Sequence, residues 1–295
     1  MQKKEPTITL SKSKTKSLQG IWNYCGSRMF FISAVVTFLF ACSSGQNPSQ
    51  IEAPESPAQP KQEFVSRDIP KKEFPEDSVQ FLLGRFYPEK DSAFCQIESK
   101  YASRTGMQLN CEAYQAFKKM HEAAKKGGVE LKIISATRNF YDQKRIWEAK
   151  WNGQRLVGGR DLSQIQDKKE RAITILKYSS MPGTSRHHWG TDIDLNSLNN
   201  SYFESDAGLK VYQWLKKNAV QFGFCQPYSE KGKGRPNGYE EEKWHWSYLP
   251  VARQLLDKYQ QHVSHDKLTG FDGAEVAKNI DVIKNYIAGI NSECL

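Results

Sequence analysis

The pattern of apolar and polar positions predicts a series of amphipathic helices. In residues 112–126, apolar side chains that include Met120 and Ala124 recur on one stripe, and either Ala116 or Phe117 belongs to it. The stripe stops at Gly127, where a glycine can end a helix. Similar spacing predicts further helices at residues 141–151 (capped by Asn139), 167–178, 206–222, 251–263 and 274–290.

Three shorter stretches have the alternation or the β-branched content of strands. They are residues 129–135, 190–195 and 243–248. Because the helices are many and the strands few and short, the sequence predicts an α+β fold. In this fold several helices surround a small sheet whose strands need not be parallel.

The N-terminus has the layout of an export signal. A basic segment runs to Arg28, and an apolar run follows from Met29 to Ala41. This run is shorter than the roughly 20 apolar residues that cross a bilayer, but it suits the apolar part of a signal peptide. Its end, LFAC, resembles the lipobox of bacterial lipoproteins, in which the cysteine is acylated. We therefore expect a lipoprotein signal peptide at residues 1–41, lipidation at Cys42 and a membrane-tethered location in the cell envelope, on the periplasmic or extracytoplasmic face; an uncleaved anchor is the alternative.

Residues 42–77 are rich in proline, serine, glutamine and charge, and they show no apolar period. Such a composition buries too little surface to fold, so we predict a flexible linker here and a folded domain at residues 78–295. Of the formal net charge of +9, +5 lies in residues 1–41, which leaves +4 for the rest. That remainder is too small to indicate nucleic-acid binding.

Four cysteines remain in the predicted domain: Cys95, Cys111, Cys225 and Cys294. An even number in an exported protein is typical of disulfides, and three pairings are possible. Our hypothesis is Cys95 with Cys111 and Cys225 with Cys294, with buried free thiols as the alternative.

Residues 185–196, SRHHWGTDIDLN, concentrate the candidate chemistry. Gly190 lets the chain bend between His187 and Asp194, and Asp192 shares one strand face with Asp194. Two adjacent carboxylates repel each other, so either a divalent cation lies between them or one of them turns away from the site. A third imidazole, His245, follows about fifty residues later and completes a possible three-ligand zinc site with an open position for water.

Three motifs carry a family resemblance. SRHHWGTDID fits the pattern SxHxxGxxxD, EKWH fits ExWH, and SATRNFYDQ is similar to an upstream S-x-x-R segment. In this order and spacing they resemble the VanY-type zinc D-alanyl-D-alanine carboxypeptidases, over residues 131–248. The resemblance implies a small, mainly antiparallel sheet surrounded by helices, of the hedgehog and D-Ala-D-Ala peptidase type, with zinc at the sheet.

The resemblance also implies a ligand set and a base. The zinc ligands would be His187, Asp194 and His245, and Glu242 would be the general base. In a flat strand Glu242 would point away from His245, so we expect a turn or bulge between them. Asp192 departs from the family, which commonly has a small residue there; it could orient a ligand or favour a cationic substrate group. His188 is interpreted as a neighbour of the site, not as a ligand.

On the substrate side, the resemblance implies that Arg138 contacts the substrate carboxylate or the carbonyl under attack, and that Gln143 and Ser185 line the site. The implied activity is zinc-dependent removal of the terminal D-alanine from peptidoglycan stem peptides. The alternatives are an L,D-carboxypeptidase, a peptidoglycan endopeptidase, a non-catalytic wall-binding lipoprotein, or a structural metal site closed by Asp192 or His188.

Overall fold

The computed structural model describes residues 76–295 of the chain. The predicted signal peptide, the lipidation site Cys42 and nearly all of the predicted linker lie outside this part. The first helix begins at Glu76, two residues before the predicted start of the domain.

Seven α-helices occur among the described residues. They are α1 (Glu76–Leu82), α2 (Cys111–Lys126), α3 (Phe140–Trp151), α4 (Lys168–Ile175), α5 (Asp206–Asn218), α6 (Leu249–His262) and α7 (Ala277–Ile280). The predicted cap is confirmed, because the Asn139 side chain accepts a hydrogen bond from a backbone amide of the first turn of α3. Phe117, and not Ala116, is the fully buried member of the α2 stripe. The helix α1 was not predicted.

The prediction of one continuous helix at residues 274–290 is wrong. A 3-10 turn, Ala274–Val276, leads into the four-residue α7, and a π-helical turn follows at Ile283–Ile287. The break lies at Asp281, whose φ of 51° is left-handed. Aspartate tolerates this conformation better than most residues, and it interrupts the helical hydrogen bonds despite the apolar spacing.

A four-stranded antiparallel sheet lies at the centre of the domain. Its strands are β3 (Ile133–Ser135), β4 (Asp192–Leu195), β5 (Phe224–Cys225) and β6 (His245–Tyr248), in the order β3-β4-β6-β5. A separate two-stranded sheet pairs β1 (Phe94–Gln96) with β2 (Gln108–Asn110). The predicted strands at residues 129–135, 190–195 and 243–248 are each present in shorter form, and β1, β2 and β5 were missed. The α+β architecture with a small antiparallel sheet surrounded by helices is confirmed.

The two faces of β4 have opposite character. Ile193 and Leu195 are fully buried in a core shared with α2 and α5. Asp192 and Asp194 alternate with them and therefore lie on the other face. The antiparallel register places Asp194 opposite His245 and Asp192 opposite Ser247, so one face of the sheet carries a buried polar cluster.

Within residues 76–295, two disulfides join separate elements, and they follow the hypothesised pairing. The N-terminal disulfide, Cys95–Cys111, links β1 to the start of α2. The C-terminal disulfide, Cys225–Cys294, links β5 to the end of the chain. Between residues 76 and 295, no helix combines the length and the apolar character needed to cross a membrane.

Candidate metal centre and cleft

Three buried side chains from two strands and a turn converge on one point. Asp194 in β4 and His245 in β6 are paired across the sheet, and His187 lies in the 3-10 turn Arg186–Trp189. Gly190 ends this turn with a φ of 67°, the left-handed conformation that glycine adopts without strain. One possible ligand atom from each of the three residues lies within 4.8 Å of the others.

The hydrogen bonds around the two imidazoles determine which nitrogens face each other. Nδ1 of His187 is 2.8 Å from the carbonyl oxygen of Ala136, which leaves Nε2 at 3.4 Å from Oδ1 of Asp194. Nε2 of His245 is 2.8 Å from Oδ2 of Asp192, which leaves Nδ1 at 3.3 Å from the same Oδ1 of Asp194.

These inward-facing atoms fit a metal ion. Nε2 of His187 and Oδ1 of Asp194 are buried and have no hydrogen-bond partner within the described part of the chain. Unpaired buried polar atoms are costly, and a cation would satisfy both of them. Two imidazole nitrogens and one carboxylate oxygen form a donor set that zinc commonly takes in catalytic sites.

Asp192 orients the site. It is fully buried, and its oxygens accept hydrogen bonds from the Arg186 side chain at 3.1 Å and from the hydroxyls of Thr191 and Ser247 at 2.7 Å each. The fourth contact is Nε2 of His245. Burial alone would raise the pKa of Asp192, but Arg186 and His245 outweigh it and hold the pKa below its ordinary value. A carboxylate behind a histidine ligand fixes the ring orientation. The first of the two roles suggested for Asp192 therefore agrees with the structure.

His188 is held away from the centre, as the sequence indicated. Its Nδ1 is 2.6 Å from the carbonyl oxygen of Arg138, and its Nε2 accepts a hydrogen bond from the backbone amide of Gly183 at 3.0 Å. Burial lowers the pKa of His188 to about 3, so the ring is neutral. Because His188 and Asp192 are both committed elsewhere, neither closes the site as a fourth ligand.

Burial and neighbouring charged groups together set the pKa values within the cluster. Burial lowers the pKa of His187, and the nearby Arg138 lowers it further. For His245, burial favours the neutral form, but the nearby carboxylates of Asp192, Asp194 and Glu242 outweigh it and raise the pKa. Asp194 is the reverse case, because its two imidazole neighbours overcome the effect of burial and lower its pKa.

Glu242 lies next to the cluster without belonging to it. The amide of His245 donates to the carbonyl oxygen of Glu242 at 3.2 Å, which is the expected turn just before β6. This turn brings Oε2 of Glu242 to 3.2 Å from Nδ1 of His245. Burial raises the pKa of Glu242 above its ordinary value, and His245 and Arg138 offset only part of that rise.

A narrow cleft opens onto this cluster. Arg138 and Ser185 line it together with His187, Glu242 and His245. Oγ of Ser185 is buried and has no hydrogen-bond partner among residues 76–295, so its hydroxyl is free to meet a ligand. The prediction for Gln143 differs from the structure. Gln143 does not line the cleft but lies behind it, where its Nε2 donates to the carbonyl oxygen of Ser180 at 2.8 Å.

The sequence missed several residues of the cleft wall. Ser179, Tyr228 and Tyr239 also line it. The Tyr228 ring packs edge-on against His245 with ring centres 4.6 Å apart, and its carbonyl oxygen accepts from the amide of Glu242 at 2.9 Å. None of these residues belongs to a motif, and a lone tyrosine or serine in an irregular segment carries no distinguishing pattern.

A family model described as VanY, D-alanyl-D-alanine carboxypeptidase, matches residues 106–251. Over this segment, just under half of the chain, the sequence is of the VanY type. The match includes the two strands and the turn that supply the three convergent side chains, and also the Glu242 turn.

The similarity to individual proteins is modest. YodJ of Bacillus subtilis strain 168, whose naming as a carboxypeptidase is provisional, is 31% identical over 173 residues; these are 58% of this chain and 57% of the relative, which is less than two thirds of its length. Among solved structures, VanYB in complex with D-alanine-D-alanine is 23% identical with a TM-score of 0.42, covering 60% of this chain and 87% of the other. The LD-carboxypeptidase LdcB is 23% identical with a TM-score of 0.43, covering 70% and 81%.

Proposed function

We propose that this protein is a zinc-dependent carboxypeptidase that removes the terminal D-alanine from peptidoglycan stem peptides. The observation that carries the proposal is an open, buried His187–Asp194–His245 centre with an uncoordinated carboxylate, Glu242, directly beside it. A structural metal site would use a fourth protein ligand, and a non-catalytic binding module would have no need of the base.

His187, Asp194 and His245 would hold the metal. When bound, zinc polarises a scissile carbonyl and lowers the pKa of a water at its open position. Asp192 keeps the His245 ring turned so that Nδ1 faces the centre.

Glu242 acts as the general base. Its carboxylate accepts a proton from the attacking water and passes it to the leaving amine, so one peptide bond is broken and one carboxylate and one amine form. Burial raises its pKa above the ordinary value, which makes the protonated form easier to reach and so favours return of the proton to the leaving amine.

Arg138 stabilises negative charge on the substrate. Its guanidinium lines the cleft, and Nε is buried without a hydrogen-bond partner inside residues 76–295. A preorganised donor of this kind, aimed at developing charge, is typically worth a few kcal/mol in the transition state. Ser185, which directly precedes the short turn that carries His187, supplies a second donor.

We further propose that the enzyme works in the cell envelope. Lipidation at Cys42 would tether it to a membrane, and the linker at residues 42–77 would let the domain reach the wall over some tens of ångströms. Labelling with a radioactive fatty acid, in the wild type and in Cys42→Ser, tests the tether; label that persists in the variant would exclude it.

Digestion of defined muropeptides, read by mass spectrometry, tests the activity. The proposal predicts loss of one alanine from pentapeptide stems. Loss of the last residue from tetrapeptide stems would instead assign L,D-carboxypeptidase activity, and a split cross-link would assign an endopeptidase. Absence of any cleavage by metal-loaded protein would contradict the proposal.

A further inference from the structure

The helix α3 holds one wall of the cleft from behind. Gln143 and Lys150 lie seven residues apart, which places them on one face of the helix two turns from each other. Gln143 donates to the carbonyl oxygen of Ser180, and Nζ of Lys150 donates to Oγ of Ser179. Both contacts reach the same short segment, which lines the cleft beside His187 and Glu242.

The Lys150 contact fixes the direction of the Ser179 hydroxyl. An ammonium group can only donate hydrogen bonds, so Oγ of Ser179 must act as the acceptor. The one hydrogen of this hydroxyl therefore points away from Lys150. Ser179 is itself buried, with 9% of its surface exposed, and its hydroxyl donates to no acceptor among the described residues. The hydrogen is available to a ligand in the cleft.

The charge around this hydroxyl is positive and lacks an ion-pair partner. Neither Lys150 nor Arg138 lies within ion-pair distance of a carboxylate in residues 76–295. Burial, with Arg155 and Arg138 nearby, lowers the pKa of Lys150 to about 8, and Glu242 opposes this only weakly. Two partly desolvated cations beside one oriented hydroxyl favour a ligand that carries a full negative charge.

We propose that the Lys150–Ser179 pair recognises the free terminal carboxylate of the substrate and thereby makes the enzyme an exopeptidase. Ser179 donates directly to a carboxylate oxygen, and Lys150 is a positioning residue that orients the hydroxyl and supplies positive potential. Arg138 is then left for the scissile carbonyl. A neutral peptide carbonyl would not need a second cation, which is why the carboxylate is the expected partner. This inference rests on the proposed function for the identity of the peptide.

Two peptides that differ only at the terminal group test the proposal. One is a stem pentapeptide ending in D-alanyl-D-alanine with a free carboxylate, and the other is the same peptide with a terminal amide. In the whole protein, Lys150→Met and Ser179→Ala should each lower kcat/KM for the acid about 10- to 100-fold, mainly through KM. Their effect on the amide should be less than about threefold, because the amide has no charge to lose.

Two further variants separate a positioning role from a structural one. Lys150→Arg should retain most of the wild-type preference for the acid, because it keeps the charge and the donor. Lys144→Met, a matched change on α3 whose lysine pairs with Glu148 instead, should leave both peptides unaffected. Equal losses on acid and amide in Lys150→Met and Ser179→Ala, or a wild type that does not distinguish the two peptides, would overturn the proposal.

Binding measurements keep this test independent of catalysis. In the Glu242→Gln background, tryptophan fluorescence titration should give a dissociation constant for the acid at least about tenfold below that for the amide, and Lys150→Met should abolish the difference. If the wild type cleaves neither peptide but this preference is observed, the proposed function fails and the recognition site stands. If the two peptides bind equally, the recognition site is refuted whatever the activity.

Discussion

Replacement of Asp192 by asparagine tests how the centre is held together. The change is nearly isosteric, so it removes the charge and leaves the volume. Arg186, with 1% of its side chain exposed, would then keep a buried positive charge without its partner at 3.1 Å. His245 would lose the carboxylate that holds Nε2 at 2.8 Å.

The magnitude follows from this burial. Breaking a buried ion pair by removing one partner costs about 3 to 5 kcal/mol. In a domain of this size 1 kcal/mol moves the melting temperature by about 2 to 4 °C, so Asp192→Asn should lower it by about 6 to 20 °C. Loss of a carboxylate behind a histidine ligand should also weaken zinc binding about 10- to 100-fold.

Two assays separate these effects. Thermal unfolding in excess chelator reports the ion pair alone, and competitive zinc titration at 25 °C reports the centre. Glu275→Gln is the control, because Glu275 pairs with Lys168 on the surface, where both side chains are more than half exposed. Such a pair is worth less than about 1 kcal/mol. An Asp192→Asn protein that melts within about 2 °C of the wild type, with unchanged zinc affinity, would refute the role assigned to Asp192.

Further expected outcomes concern the base, a ligand, the disulfides and pH. Glu242→Gln should keep stoichiometric zinc but lower kcat about 100-fold or more, while the neighbouring change Glu241→Gln should have little effect. His187→Ala should lose stoichiometric zinc in elemental analysis, because one of the three ligands is gone. Removing the C-terminal disulfide, with a sequence separation of 69, should cost about 4 kcal/mol in urea unfolding, against about 3 for the N-terminal disulfide with a separation of 16. Finally, KM for the free-carboxylate peptide should rise as pH increases through about 8, where Lys150 loses its proton, and Lys150→Arg should remove this rise.

Each of these has a contrary result. Full activity in Glu242→Gln would remove it from the base role, and unchanged zinc content in His187→Ala would indicate a different ligand set. Equal stability losses for the two disulfides would show that loop length does not govern their contributions here. A KM that does not change between pH 7 and 9 would show that the charge of Lys150 does not contribute to substrate binding.

The centre could be predicted because the short motifs that carry the family resemblance name its three residues. His187 and Asp194 lie on either side of a glycine, and the pairing of β4 with β6 brings in His245 by ordinary antiparallel register. The cap of α3 also follows from a short-range pattern, because Asn139 directly precedes the helix. The prediction that failed was the continuous helix at residues 274–290, because the left-handed backbone of Asp281 interrupts a stretch with helical spacing.

Lys150 shows why the cleft wall could not be predicted. In the sequence it is one lysine among many on amphipathic helices, where a solvated position is the ordinary expectation. Only the packing of α3 against the segment at residues 179–180 makes it a partner of Ser179. For Gln143 the outcome is the opposite. The motif predicts that it lines the site, but in the structure it lies behind the cleft wall and supports that wall through Ser180.

Digestion of a purified pentapeptide muropeptide, before chelation, after chelation and after zinc is restored, tests the central claim most directly. The account predicts a product lighter by one alanine in the first and third samples and intact substrate in the second. Cleavage that continues undiminished in excess chelator, by protein verified to be metal-free, would contradict hydrolysis at the His187–Asp194–His245 centre.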